Sequence, residues 1–253
     1  MRKFVITALA AAGLAVAAGS AVASEGGHLT TQSWSWDGVF GSYDAKQLQR
    51  GFTVFHDVCG NCHGLKLVSY RNLKEIGLTD EKVKEVAAEK QVQDGPNDEG
   101  EMFLRAALPS DHVVPPFPND QAARVANNGA LPPDLSLMAK ARKGGPDYIY
   151  SLLTGFQEPP ADFKMNDGMS YNTVFPGNQI GMPPQLFDDL VTYTDGTKAT
   201  PEQMAKDITA FLNWAAEPEL NERHRLGLAS MIFLLVLTAL MYALKREIWK
   251  DVH

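Results

Sequence analysis

Apolar residues recur at helical spacing from Leu48 through Phe52, Phe55, Cys59 and Cys62, at steps of four, three, four and three. Asp44 stands in front of this run as a helix cap, with Gln47 three residues later. The pattern predicts a helix whose apolar face continues into both cysteines. A second amphipathic helix is predicted to begin at Thr200 as N-cap, with Pro201 in its first turn and Gln203 at the capping-box position. It places Met204, Ile208, Phe211, Leu212 and Ala215 on one face. Shorter helical patterns cover residues 80–90 and 146–153. Clusters of Pro, Gly, Asn and Asp predict long loops over residues 93–101, 110–120, 157–184 and 192–200. Strand-type alternation is scarce and no internal repeat is visible, so the expected fold is mainly α with long loops and little sheet. Such a domain has few helices to enclose a core of ordinary side chains, and a bound group is expected to fill its centre.

The two ends follow other patterns. Arg2 and Lys3 precede an uncharged, Ala-rich stretch and an Ala21-Val22-Ala23 cleavage site, which reads as a secretory signal peptide over residues 1–23. Residues 226–244 (LGLASMIFLLVLTALMYAL) carry no charge, and a helix of that length spans roughly 28 Å, enough to cross a bilayer. Arg223 and Arg225 before it and Lys245 and Arg246 after it leave its direction undecided by charge. The signal peptide supplies the direction. Residues 24–222 are expected to be an exported domain, and residues 223–253 a transmembrane anchor with a short cytoplasmic tail, Tyr242 and Trp249 sitting at the interfaces.

Composition changes this picture little: 253 residues, 45% hydrophobic and 21% charged, exclude a disordered or collagenous chain. Charge changes it more. Of the 23 basic and 30 acidic side chains, residues 24–222 keep 16 and 28, so a formal net charge of -7 for the whole becomes -12 for the middle. A nucleic-acid surface, which needs clustered Lys and Arg, is excluded on that balance, and a basic protein partner fits it.

The candidate chemistry lies at Cys59-Gly60-Asn61-Cys62-His63, the C-x-x-C-H attachment pattern of c-type haem. Two thiols about one turn apart can add to the vinyl groups on one porphyrin edge while His63 turns under the ring to ligate iron. Three other readings compete. A thioredoxin-like redox pair needs a preceding strand, whereas the periodicity here is helical. A zinc site would have to recruit two distant histidines from His28, His56, His112 and His224. A disulfide across four residues would remove almost no chain entropy. One covalently attached haem c is therefore expected. A methionine as the sixth ligand would raise the reduction potential. Met102, Met138, Met165, Met169, Met182 and Met204 are candidates; Met204 belongs to a core face, and Met182 stands out between Gly181 and Pro183-Pro184, although residues alone leave the choice open.

The chain resembles the cytochrome c1 family, the haem subunit of quinol–cytochrome c reductase (the cytochrome bc1 complex), over nearly the whole of the expected mature chain. The resemblance is carried by QRGFTVFHDVCGNCH (residues 49–63), SYRNL (69–73), VQDGPNDEGEMF (92–103), ANNGALPPDLS (126–136), YSLLTGFQEPP (150–160), FPGNQIGMPP (175–184) and DITAFLNWAAEPE (207–219). C-x-x-C-H alone is common to all c-type cytochromes; ANNGALPPDLS and the Gly-Met-Pro-Pro loop in this order are specific to the family. The resemblance implies that His63 and Met182 are the iron ligands. It also implies that Asn127, Arg142 and Tyr148 meet the haem propionates, with Arg124 a further candidate, and that Pro132 and Pro133 pack along the ring. It implies cytochrome b and a Rieske iron–sulfur protein as partners, a c-type cytochrome as acceptor, a dimeric complex, contact with membrane lipid, and a bacterial inner membrane with the haem domain on the periplasmic side. The chain itself would be an electron-transfer subunit of the enzyme without a substrate pocket of its own. Acidic clusters at Asp94, Asp98, Glu99 and Glu101, at Asp162 and Asp167, and at Asp188 and Asp189 suit a basic cytochrome partner. One departure stands out: some bacterial relatives carry a second cysteine pair before the axial Met, and this chain has only Cys59 and Cys62. Packing and backbone hydrogen bonds must hold that loop instead. The rivals are a haem enzyme with an open iron position, such as a peroxidase, and a tethered cytochrome working outside any complex.

Overall fold

A computed structural model describes residues 27–251; the expected signal peptide lies outside the described residues. Seven α-helices follow in chain order: α1 (Ala45–Asp57), α2 (Asp80–Ala88), α3 (Asp120–Ala126), α4 (Met138–Ala141), α5 (Gly145–Thr154), α6 (Pro201–Ala216) and α7 (Leu220–Ile248). Two small antiparallel hairpins are the only sheet among the described residues. One pairs β1 (Gln91–Asp94) with β2 (Phe103–Ala106), and the other pairs β3 (Ser170–Tyr171) with β4 (Gln179–Ile180). The expectation of a mainly α fold with long loops and little sheet therefore holds.

α1 starts where the sequence placed it, with the Asp44 carboxylate accepting from the backbone N–H of Lys46 and Gln47. Its end differs from the expectation. The α-helix stops at Asp57, and the cysteines lie on a following 3-10 turn, Cys59–Asn61, in which Cys62 N donates to Cys59 O at 3.1 Å. The tighter winding breaks the α-helical register of Leu48, Val54 and Phe55, while Cys59 still packs against the core they belong to. The periodicity continued past Asp57, and the hydrogen bonding did not. The loop expected over residues 93–101 is the connection of the first hairpin, whose strands the sequence pattern did not reveal because Phe103 and Leu104 are both exposed.

α6 is the axis of the domain. Thr200 accepts from Gln203 N as its cap, and the helix packs against α1, α4 and α5 at once, so almost every residue from Met204 to Ala215 is buried. Phe211 meets the rings of Phe52, Phe55 and Trp214 at centroid distances of 5.7, 5.7 and 5.5 Å. A contiguous apolar core thus exists in the protein itself, contrary to the expectation that its few helices could not enclose one of ordinary side chains. Helices α1 and α6 approach so closely that a Cβ on Gly51 would fall inside the contact radius of the Asp207 carbonyl oxygen. Beside this crossing the Asp207 carboxylate, with no exposure, accepts from Arg50 Nε at 3.0 Å, Arg50 Nη2 at 3.2 Å and Gln203 Nε2 at 3.0 Å. Arg50 Nη1 reaches Asp195 at 2.7 Å, so the buried carboxylate and its partner form a bonded network and neither is left alone.

Only residues 217–219 separate α6 from α7, which is long and apolar enough to cross a membrane. The junction is tied down from several sides. Tyr43 N donates to Asn221 Oδ1 at 3.0 Å, Asn213 Nδ2 to the Tyr43 hydroxyl at 2.9 Å, His224 Nδ1 bonds Gly41 O at 2.8 Å, and Lys140 pairs with Glu217 at 2.9 Å. The helix therefore leaves the domain on a braced base.

Gly51→Ala is expected to force the α1–α6 crossing apart and to cost about 2 kcal/mol or more. Gly38→Ala, at a positive φ where a Cβ meets nothing, is expected to cost only about 1 kcal/mol. Thermal or denaturant unfolding of the two variants measures the difference.

Candidate functional site

The cysteine turn ends on His63, whose backbone N–H donates to Cys59 O at 2.9 Å. Its ring Nδ1 lies 2.8 Å from the carbonyl oxygen of Pro133, and since a carbonyl can only accept, Nδ1 carries the proton and Nε2 keeps its lone pair. Burial holds the His63 pKa below the ordinary imidazole value, so the ring stays neutral, the form that ligates metal.

The segment supplying Pro133 is latched to the chain just beyond the motif. Asp134 accepts from Lys66 N at 2.9 Å and from Ser136 N at 3.0 Å, the fully buried Ser136 hydroxyl accepts from Leu67 N at 3.0 Å, and Leu135 N donates to Gly64 O at 2.9 Å. Asp134 and Ser136 carry this function inside a motif the sequence had already singled out for other residues. An Asp-x-Ser step is a local backbone binder, and that was the signal available.

The same segment reaches the candidate sixth ligand. Beside Met182, a Cβ on Gly181 would stand 3.0 Å from Ala130 Cβ, so the Met182 loop rests on residues 126–136. Met169 is brought to the same place, its sulfur 3.8 Å from that Cβ position. Met204 is fully buried in the core, as its helical face predicted, and is removed from the candidates. The structure thus joins the His63 turn, the Pro133 segment and the Met182 loop into one edge of the domain.

The remaining predicted residues are placed around this edge without being bonded to one another. Asn127 ends α3 and donates its amide to Ala123 O at 2.7 Å. Arg124 donates through Nη1 to Gly129 O at 3.0 Å and so braces the turn that follows. Arg142 is exposed at the end of α4 and pairs with no carboxylate among the described residues. Tyr148 is half-buried in the first turns of α5 beside Gly144, and Pro132 is half-buried next to exposed Pro133. Of the acidic clusters, Asp98, Glu99 and Glu101 are exposed at the hairpin connection, but Asp94 is already taken by Arg105, which also binds Asp111 at 2.6 Å. Hydrogen bonding to that guanidinium holds the Asp111 pKa at about 2.

These residues fit a covalently bound haem better than the competing chemistries. The thiols of Cys59 and Cys62 are unjoined, and burial pushes the Cys59 pKa up to about 12, the reverse of the lowered value a redox-active pair requires. No group of three or more His, Cys, Asp and Glu among the described residues is placed to hold a metal ion, which leaves the zinc reading without ligands. A neutral imidazole with one free ring nitrogen beside two unpaired thiols suits a c-type haem, and the segment that fixes the imidazole through Pro133 also meets the Met182 loop at Ala130.

A family model described as the Cytochrome C1 family matches residues 34–252. The chain is 53% identical to cytochrome c1 of Rhodospirillum rubrum, with all of this chain and 99% of the relative aligned. It is 47% identical to the mitochondrial cytochrome c1 haem protein of Schizosaccharomyces pombe over 90% of this chain and 74% of the relative. A protein of Bradyrhizobium diazoefficiens named cytochrome b/c1 is 45% identical over 87% of this chain, which spans 35% of that longer relative.

His56, on the last turn of α1, bonds Asp57 at 2.7 Å through Nδ1 and Glu89 at 2.8 Å through Nε2, tying the approach to the cysteine turn to the end of α2. Burial opposes charging this ring, but the two carboxylates outweigh it and raise its pKa above the ordinary value. A raised pKa stabilises the fold fully below the unfolded value of about 6.5, and the contribution is lost as pH rises through the folded value. Unfolding free energy measured between about pH 6 and about pH 9 is expected to fall across this window, and the fall to shrink in His56→Gln.

Proposed function

The chain belongs to the cytochrome c1 family, and from that premise we propose that it takes single electrons from a Rieske iron–sulfur protein and passes them to a c-type cytochrome. It is a haem electron-transfer subunit of the cytochrome bc1 complex, and its cofactor is haem c. The observation that carries the finer reading is the geometry around His63: a neutral imidazole, fixed by Pro133 with Nε2 free, on the same edge as the loop of Met182.

In this reading Cys59 and Cys62 bind the haem covalently, His63 and Met182 hold its iron, Pro132 and Pro133 pack along the ring, and Asn127, Arg142 and Tyr148 meet the propionates. The haem supplies a one-electron couple. The protein's part would be to hold the donor groups of His63 and Met182 in place, so that little rearranges when the charge changes, and to keep small ligands away from the iron. A thioether there favours the reduced state, which suits an acceptor of electrons from a high-potential donor. The unpaired guanidinium of Arg142 is the charge available to a propionate carboxylate.

The rest of the complex is read from the anchor and the charge. Residues 1–23 act as a cleaved signal peptide, residues 24–222 form the exported haem domain, and residues 223–253 anchor it by a single pass through a bacterial inner membrane. The haem domain stands on the periplasmic side. Cytochrome b lies against α7 in this arrangement; the name of the Bradyrhizobium relative, which couples b and c1, supports the pairing. The exposed carboxylates of Asp98, Glu99 and Glu101 and of Asp188 and Asp189 offer a basic cytochrome an electrostatic approach, within a dimeric, lipid-embedded complex.

The test is a reduced-minus-oxidised spectrum of the purified protein, wild type beside Met182→Leu, with and without carbon monoxide. A c-type spectrum that carbon monoxide leaves unchanged in wild type, together with a carbon monoxide-reactive variant of lowered potential, is expected. Ready binding by the wild type would return the enzyme reading with an open iron position.

A further inference from the structure

The loop that carries Met182 runs from residue 155 to residue 184 with no α-helix and no disulfide, yet it contains a fully buried polar side chain, Asn172. Its Oδ1 accepts from Val174 N at 3.0 Å and from Phe175 N at 3.1 Å, closing a turn on itself. Its Nδ2 donates to Leu152 O at 2.8 Å, a carbonyl in the last turn of α5. Its main chain completes the set: Asn172 N donates to Asn178 O at 3.0 Å, and Asn172 O accepts from Asn178 Nδ2 at 3.3 Å.

One residue therefore ties together the rigid end of α5, the outgoing turn and the returning strand. From Asn178 the chain needs only β4 to reach Met182: Tyr171 pairs with Gln179, Ser170 pairs with the buried Ile180, and Gly181 then meets Ala130. The turn between the strands uses positive φ at Gly177 (79°) and Asn178 (59°), so the return path has a single defined shape. Thr173 strengthens the same tie from the neighbouring position, its N–H and hydroxyl both donating to Gly155 O at 3.0 and 3.2 Å.

We infer that Asn172 is the positioning residue for the axial methionine, the polar clamp that fixes the Met182 loop to α5 where a chain with more cysteines can use a disulfide. The inference rests on the reading of Met182 as iron ligand. Replacing Asn172 by Ala takes the acceptor from the buried Val174 N–H and the half-buried Phe175 N–H and leaves the Leu152 carbonyl only the 3.4 Å bond from Gly155 N, and the returning strand loses its reference to α5. The Met182 sulfur then spends more time off the iron, and the share of reduced protein that binds carbon monoxide rises by about tenfold or more, with a lowered midpoint potential.

The experiment compares haem-loaded full-length wild type, Asn172→Ala, Asn172→Asp and Met182→Leu by carbon monoxide titration and redox potentiometry, with far-ultraviolet circular dichroism to confirm folding. Asn172→Ser replaces the Ala variant if that protein does not accumulate, and is expected to shift in the same direction. Asn172→Asp keeps the acceptor oxygen, and its buried carboxyl can donate to Leu152 O only when protonated. It is therefore expected to approach wild-type behaviour as pH is lowered, a response that a purely structural lesion does not give. A folded Asn172→Ala with wild-type potential and no carbon monoxide binding, beside a Met182→Leu that opens the iron, would overturn the clamp. A Met182→Leu indistinguishable from wild type would overturn the ligand reading on which it stands.

Discussion

The hydrogen bond from His63 Nδ1 to the Pro133 carbonyl does two jobs, and the rest of the site is arranged around it. It selects the tautomer that leaves Nε2 open, and it binds the end of the cysteine turn to a segment distant in sequence. That segment would be a free loop without its own ties. Asp134 and Ser136 latch it to residues 66 and 67, and Leu135 to Gly64, so the acceptor is held as firmly as the donor. Across its other side Ala130 receives Gly181. The two proposed axial donors are thus referred to one short stretch of backbone, and its rigidity sets how well both can be kept in place.

Behind the site stands a scaffold of helix packing. The cysteine turn follows directly on α1, and α1 is fixed by its crossing with α6, where Gly51 permits the approach and Arg50, Gln203 and Asp207 satisfy the polar groups beside it. A buried ion pair contributes little net stability, but losing one partner leaves an uncompensated charge, so such a network fixes geometry more than it adds energy. The same α6 leads within three residues to α7, whose first turns are held by Tyr43 and Gly41, while Lys140 pairs with Glu217 in the link between the two helices. The proposed haem edge, the core and the membrane helix are consequently one mechanical unit. In the proposed role, a fixed height above the bilayer would serve the exchange of electrons with two protein partners.

Much of this was legible from residues. Cys59, Cys62 and His63 carry their chemistry in their spacing, Asp44 and Thr200 cap the helices they were expected to cap, and the uncharged run from residue 226 announces α7. The end of α1 was not legible, because apolar periodicity outlasts the helical hydrogen bonds that stop at Asp57. Nor were the roles of Asp134, Ser136 and Asn172. Their partners are backbone groups far away in sequence, and a side chain that binds remote backbone leaves no periodic trace. Arg124 was legible only as a basic residue near a motif, and its bond to the Gly129 carbonyl is a bracing role that spacing does not reveal.

Iron K-edge X-ray absorption of the oxidised, haem-loaded protein tests the proposed ligation most directly, since it reports the donor atoms themselves. His63 and Met182 as axial ligands require a single sulfur scatterer in the first coordination shell beside nitrogen, and its loss in Met182→Leu. A shell of nitrogen alone in the wild type would contradict that ligation and require another residue at the sixth position.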